Sequence, residues 1–336
     1  MLAGNGTTEG GSTMRSTHRR ATGKLLAAAS ALAAVLAAGT AGAIPYPKIY
    51  AFGDSLSDAG NIYSFSHGVE PVSPPYSKGR FSNGNVWVQD LSSDVGLGIL
   101  KPSLTGGTDY AAGGATTGQS SVHNANASDL PSQLSSFKTN VPKPSANALF
   151  TLWIGSNDLL AILAADLNAA DTTAALNEVL ANEQTFVVGL AQAGAKKLLV
   201  LTVPDLGLTP QISASGAAAK RTATALTKRF NTALTAKLNK DATTYKLDIK
   251  IVDTLPLIDA AVANPAAYGF TNVKQPCWTG NFTDKNSGTV CASSVTVQNK
   301  HLFWDQLHPT AGGHSQIAKA AESALGVGAP ALVAAK

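Results

Sequence analysis

The residues best suited to chemistry lie in four short, widely separated segments. The first is Phe52-Gly53-Asp54-Ser55-Leu56, directly after an apolar stretch. Gly53 permits a sharp turn at a strand end, and such a turn would present the Ser55 hydroxyl beside its own backbone N–H. A serine there is a nucleophile only if a base reaches it; otherwise Ser and Asp form a turn or cap a helix. The second is Tyr110-Ala111-Ala112-Gly113-Gly114-Ala115. Paired glycines allow close backbone approach and free an N–H for a developing oxyanion, or simply make a turn. In the third, Gly155-Ser156-Asn157-Asp158, the Asn157 amide can donate to such a charge or cap the helix that follows. The fourth is Asp305-Gln306-Leu307-His308-Pro309. A three-residue offset within one turn brings a carboxylate to the imidazole Nδ1, fixes the tautomer, and leaves Nε2 to take a proton from Ser55. Alone, each segment has an ordinary structural reading as well.

Competing chemistry finds less support. His67, His123 and His314 have no acid at a useful spacing, and His301 has no carboxylate at short offset. No His-Glu-x-x-His is present for zinc hydrolysis, and no Gly-x-Ser-x-Gly for the nucleophile elbow of α/β-hydrolases. Two cysteines without clustered histidines fall short of a four-ligand metal site.

The elements that must position these segments follow from pattern. Four apolar runs, 48–52, 148–154, 197–203 and 248–252, predict buried strands bounded by turn residues. Helices are predicted over 171–193, capped by Asp171 and stopped by Gly194, over 215–240, and over 310–325 with Gly326 beyond its end. Strands alternating with helices imply βαβ units in a mostly parallel sheet, with ligands bound at the carboxyl ends of the strands. Residues 64–109 and 264–300, rich in Pro, Ser, Gly, Asn and Thr, read as long loops. Tyr63, just before the first of them, and Phe65, Phe81 and Trp278 within them are candidate apolar walls, or ordinary loop anchors.

The first 43 of the 336 residues carry a basic region (Arg15, Arg19, Arg20, Lys24), an apolar run over 25–38 and the small-residue site Ala41-Gly42-Ala43. This is the pattern of a secretory signal peptide, with Met14 as an alternative start; the run is short for a bilayer span. A single domain over 44–336 is expected to remain, exported. It keeps 21 basic and 20 acidic residues, because the leader holds four basic residues and one acid. That balance, without a basic stripe interleaved with aromatics, gives no reason to expect nucleic acid. In an exported chain Cys277 and Cys291 are expected to pair, free thiols being the alternative.

The four segments, in this order, resemble the blocks of the SGNH or GDSL hydrolase superfamily of lipases and esterases. The resemblance runs from about Lys48 to about Lys319 and includes Gly79-Arg80-Phe81-Ser82-Asn83-Gly84, Val203-Pro204-Asp205-Leu206-Gly207 and Phe303-Trp304. It implies a three-layer α/β/α sandwich, flavodoxin-like, around a mostly parallel sheet. It implies a secreted serine ester hydrolase with Ser55 as nucleophile, His308 as base and Asp305 as its orienting partner. The oxyanion hole would use the Ser55 and Gly114 backbone N–H groups and the Asn157 side chain, Gly114 being chosen over Gly113. The implied substrates are small-molecule or lipid esters, with transient contact with lipid surfaces and no cofactor, metal or obligate protein partner. Phospholipase, acyltransferase or carbohydrate acetylesterase activity of the same fold, and an inactive secreted binding module, are the alternatives.

Overall fold

The structure, a computed structural model, describes residues 45–327; the expected signal peptide, with its alternative start, lies outside them. Four strands form one parallel sheet in the order β1 (Ile49–Gly53), β2 (Leu149–Trp153), β3 (Lys197–Leu201), β4 (Asp248–Val252). All four expected strands are present. β1 and β2 are buried throughout and β3 nearly so, which is why they read as continuous apolar runs. β4 is the outer strand, and its Asp248 and Lys250 side chains pair at 3.1 Å in solvent.

The helices are α1 (Asn61–Phe65), α2 (Trp87–Asp94), α3 (Leu130–Asn140), α4 (Ser156–Ala164), α5 (Ala169–Ala193), α6 (Pro210–Ser213), α7 (Gly216–Tyr245), α8 (Thr254–Ala263), α9 (Val295–Gln298) and α10 (Ala311–Leu325). Alternate strand residues divide the core into two layers, as the period of two in a strand requires. Tyr50, Phe52, Phe150, Leu152, Leu198 and Val200 pack against α3, α4, α5 and α7. Ile49, Ala51, Leu149, Trp153, Leu199 and Leu201 pack against α2 and α10. The result is the expected three-layer α/β/α arrangement.

Several expectations change in detail. α5 starts two residues early, because Asn168 and not Asp171 is its cap: the Asn168 side chain accepts from the N–H groups of Ala170 and Asp171, both at 2.9 Å. α7 runs on to Tyr245, and α10 is capped by the Thr310 hydroxyl. Residues 64–109 are not all loop: they contain α2, whose Trp87, Val88 and Leu91 are fully buried. Its surroundings of Pro, Gly and Ser hid it.

Residues 108–112 run along the free edge of β1 in a short parallel pairing. Ala51 donates to Thr108 O, Tyr110 to Ala51 O, and Ala112 to Gly53 O, at 3.1, 2.7 and 3.1 Å. The chain therefore leaves β1 to one side for this segment and returns on the other side for β2. In a doubly wound sheet such a reversal opens a crevice at the carboxyl ends of the strands. Gly53, Gly113-Gly114 and Gly155 all border it.

Candidate active site

Ser55 occupies a turn built by its neighbours. Asp54 O accepts from Ser57 N at 3.0 Å and Asp58 N at 3.1 Å, while Asp54 Oδ1 accepts from Leu56 N at 2.9 Å. These bonds fix the Ser55 backbone at the end of β1. Gly53 has φ 141°, and a Cβ there would lie 2.0 Å from Trp153 O on β2. Only glycine permits this approach.

The Asp305–His308 pair is made by local geometry as well. Asp305 Oδ1 accepts the N–H groups of Leu307 (2.8 Å) and His308 (2.7 Å), which folds the chain back on the carboxylate. His308 Nδ1 then lies 2.8 Å from Asp305 Oδ2. An ionised carboxylate only accepts, so Nδ1 carries the proton and Nε2 is the acceptor. Nε2 lies 2.8 Å from Ser55 Oγ, across 253 residues of sequence. All three side chains are buried. The hairpin that carries the pair is closed by Trp304 N donating to His308 O at 2.7 Å.

Electrostatics agree with the tautomer. Burial alone would lower the His308 pKa, but the Asp305 charge and hydrogen bond outweigh it and hold it above 6.5. Burial alone would raise Asp305, but the imidazole and four donated hydrogen bonds hold it below 3.8. The fourth donor is the Tyr76 hydroxyl, 2.6 Å from Asp305 Oδ2. Burial pushes the adjacent Asp54 up to about 7, against the Leu56 hydrogen bond.

The expected oxyanion donors differ in their commitments. Gly113 N donates to Asp58 Oδ2 at 2.9 Å, so it is engaged. The Ser55 and Gly114 N–H groups have no acceptor among the described residues. Asn157, in the first turn of α4, spends one Nδ2 hydrogen on Ala115 O at 2.8 Å and keeps the other. Ala115 is the neighbour of Gly114, so this bond ties the glycine loop to α4. Asp158 adds a second tie, accepting from Thr117 N (3.1 Å) and Thr117 Oγ1 (2.7 Å). Burial raises it to about 6 in spite of these bonds.

Ser55, Asn157 and His308 open on one cavity, walled by Leu56, Trp153, Leu206, Ile258, Leu302, Leu307 and Ile317. Of the aromatics expected as walls, Phe81 lies against the His308 ring at 5.2 Å, and Trp278 is buried with Tyr76 and Trp304. Tyr63 packs over Gly79 instead, and Phe65 is exposed. Cys277 and Cys291 are joined by a disulfide, and Cys277 N and Trp278 N donate to Phe303 O and Trp304 O, just before Asp305. Among the described residues, no group of three or more His, Cys, Asp or Glu is placed to hold a metal ion.

Sequence reasoning missed Tyr76, Asp58 and the tie through Asp158. Nothing near Pro74-Pro75-Tyr76 points to a partner 229 residues away. Asp158 lay within a recognised segment and Asp58 two residues beyond another, but each works on groups more than forty residues away along the chain.

The profile of the GDSL-like lipase/acylhydrolase family matches residues 49–321. The chain belongs to this family. Relatives of this GDSL chain include the thermolabile hemolysin of Vibrio parahaemolyticus, 29% identical over 81% of the chain and 62% of that protein. The phosphatidylcholine-sterol acyltransferase of Aeromonas hydrophila is 26% identical over 82% of the chain and 89% of that protein. The GDSL esterase/lipase At1g74460 of Arabidopsis thaliana is 26% identical over 78% and 82%. The chain thus spans under two thirds of the hemolysin's length. Among solved structures it is similar to Axe2, an acetylxylan esterase from Geobacillus stearothermophilus, with a TM-score of 0.45 and 16% identity over 85% of this chain and 97% of that one. The family is one of lipases and acylhydrolases. Among the described residues no helix is long and apolar enough to cross a membrane.

Proposed function

We propose that this chain is an exported carboxylic ester hydrolase, one catalytic domain over 44–336 behind a cleaved leader, working through an acyl-enzyme on Ser55. The observation that carries the reading is the continuous path Ser55 Oγ to His308 Nε2 (2.8 Å) and His308 Nδ1 to Asp305 Oδ2 (2.8 Å). His308 Nε2 takes the Ser55 proton as Oγ bonds to the ester carbonyl carbon, and Asp305 stabilises the imidazolium that forms. The carbonyl oxygen becomes an oxyanion held by Ser55 N–H, Gly114 N–H and the second Asn157 amide hydrogen. Support for Gly114 over Gly113 is that the Gly113 N–H is already donated to Asp58. Collapse of the adduct breaks the bond to the alcohol, which leaves with the proton from His308. Water, deprotonated by the same imidazole, then releases the acid.

The side chains beside Ser55 are mostly apolar. The substrate class that membership of the family supports is a small-molecule or lipid ester, and the names of the hemolysin and acyltransferase relatives fit a lipid. Ser55→Ala is expected to lower kcat on a short-chain nitrophenyl ester by about a million-fold. A fluorophosphonate should label Ser55 in the parent protein. Undiminished hydrolysis by the variant would end the proposal.

A further inference from the structure

Tyr76 belongs to a stretch that reads as loop, yet it is 2% exposed. Its hydroxyl donates at 2.6 Å to Asp305 Oδ2, the same oxygen that accepts His308 Nδ1–H at 2.8 Å. The ring is held independently of that bond, edge-on to Trp304 at 6.1 Å and to Phe81 at 6.4 Å, in a cluster with Cys277 and Trp278. Phe81 is the ring that lies against His308. A hydroxyl donating to a carboxylate makes a charge-assisted bond and draws part of the carboxylate's charge toward itself. That charge is then less available to the imidazolium on the other side.

We propose that Tyr76 is a positioning residue of this site, whose hydroxyl sets how strongly Asp305 holds the His308 imidazolium and hence the pH at which Ser55 becomes reactive. The proposal rests on the ester-hydrolase reading above. Other ionisable groups face the pair. Asp54, beside Ser55, favours the imidazolium, and the His308 charge in turn disfavours a proton on His314 of α10. Burial drives His314 down to about 3, so it stays uncharged at working pH. Burial pushes Asp54 up to about 7, and Tyr76→Phe leaves Asp54 and its Leu56 hydrogen bond in place, so the comparison of parent and variant isolates the Tyr76 hydroxyl. The phenol itself is pushed upward by burial and by the Asp305 charge, and it remains a protonated donor.

Tyr76→Phe keeps the ring and removes only the donor. The acid limb of its kcat/KM profile should move to higher pH by roughly half a unit, with KM unchanged, because a hydrogen bond to the carboxylate is lost while the imidazolium gains attraction. Replacing Tyr76 alone with 3-fluorotyrosine, a stronger acid and donor, should move the limb to lower pH. Opposite shifts establish the role. A limb unmoved in both variants overturns it, whether or not thermal stability or kcat falls. A fluorophosphonate assay separates the two levels. Labelling of Ser55 in the parent with an unmoved limb defeats this inference alone; a parent that is not labelled at Ser55 defeats the hydrolase reading and this inference with it.

Discussion

Gly53→Ala tests the physical basis of the nucleophile turn. A Cβ at Gly53 would sit 2.0 Å from Trp153 O, at φ 141°. Carbon and oxygen on adjacent strands come no closer than about 3.3 Å, so β1 and β2 would have to part by ~1.3 Å. Four hydrogen bonds meet there: Asp54 N to Trp153 O, Gly53 N to Gln133 Oε1, Gln133 Nε2 to Gly53 O, and Ala112 N to Gly53 O. Losing two of them at about 1 kcal/mol each, on top of ~1–2 kcal/mol for a positive φ with a side chain, gives a destabilisation of roughly 3–4 kcal/mol. Gly98→Ala is the control, with φ 75° and nothing within 4 Å of the added carbon. It should cost only the backbone term, ~1–2 kcal/mol. Urea unfolding of both variants measures the difference, which is the clash alone. Ser55 is two residues away, so a displacement of about 1 Å should also lower kcat on the order of a hundred-fold in the folded Gly53 variant. Equal stabilities for the two variants, with full activity in Gly53→Ala, would refute the close-approach reasoning.

Three further outcomes are expected. Asn157→Ala should lower kcat by about a hundred- to a thousand-fold with little change in KM, measured on the same ester; an unchanged kcat removes Asn157 from the oxyanion hole. The acid limb of kcat/KM should lie above 6.5, because His308 must lose its proton to act and its pKa is raised by Asp305. Asp305→Asn should move that limb downward and reduce kcat by about ten-thousand-fold, which a pH–rate profile reads directly. Glu183, on α5, is 1% exposed with neither carboxyl oxygen partnered among the described residues, and burial raises its pKa well above 4.5. The native state then holds this proton more tightly than the unfolded chain, so stability falls as pH rises above 4.5. Glu183→Gln should therefore be more stable than the parent at pH ~8 and gain nothing at pH ~4, by denaturant titration.

The strands were legible because β1, β2 and β3 are buried on both faces, and such strands must be apolar without interruption. α10 was legible from Thr310 at its start and Gly326 beyond its end. α2 was not, since its burial against α10 and the sheet comes from contacts far along the chain. The cap of α5 fell to Asn168 over Asp171 because the first helical N–H groups sit within reach of one side chain and not the other.

Residue types and order alone thus carried the sheet, the Asp305–His308 pair and the candidacy of Ser55, Asn157 and a glycine at 113–114. These depend on local chemistry: turn geometry, apolar runs and a three-residue offset. Tertiary structure decided what only proximity can decide. It brought His308 Nε2 to Ser55 Oγ and joined Cys277 to Cys291. By engaging Gly113 N with Asp58 it left the Gly114 N–H as the uncommitted one. It also brought Tyr76 to Asp305, a contact across 229 residues. A hydrogen bond acts over about 3 Å, and which distant groups come within that reach is set by the packing of the layers, not by any pattern along the chain.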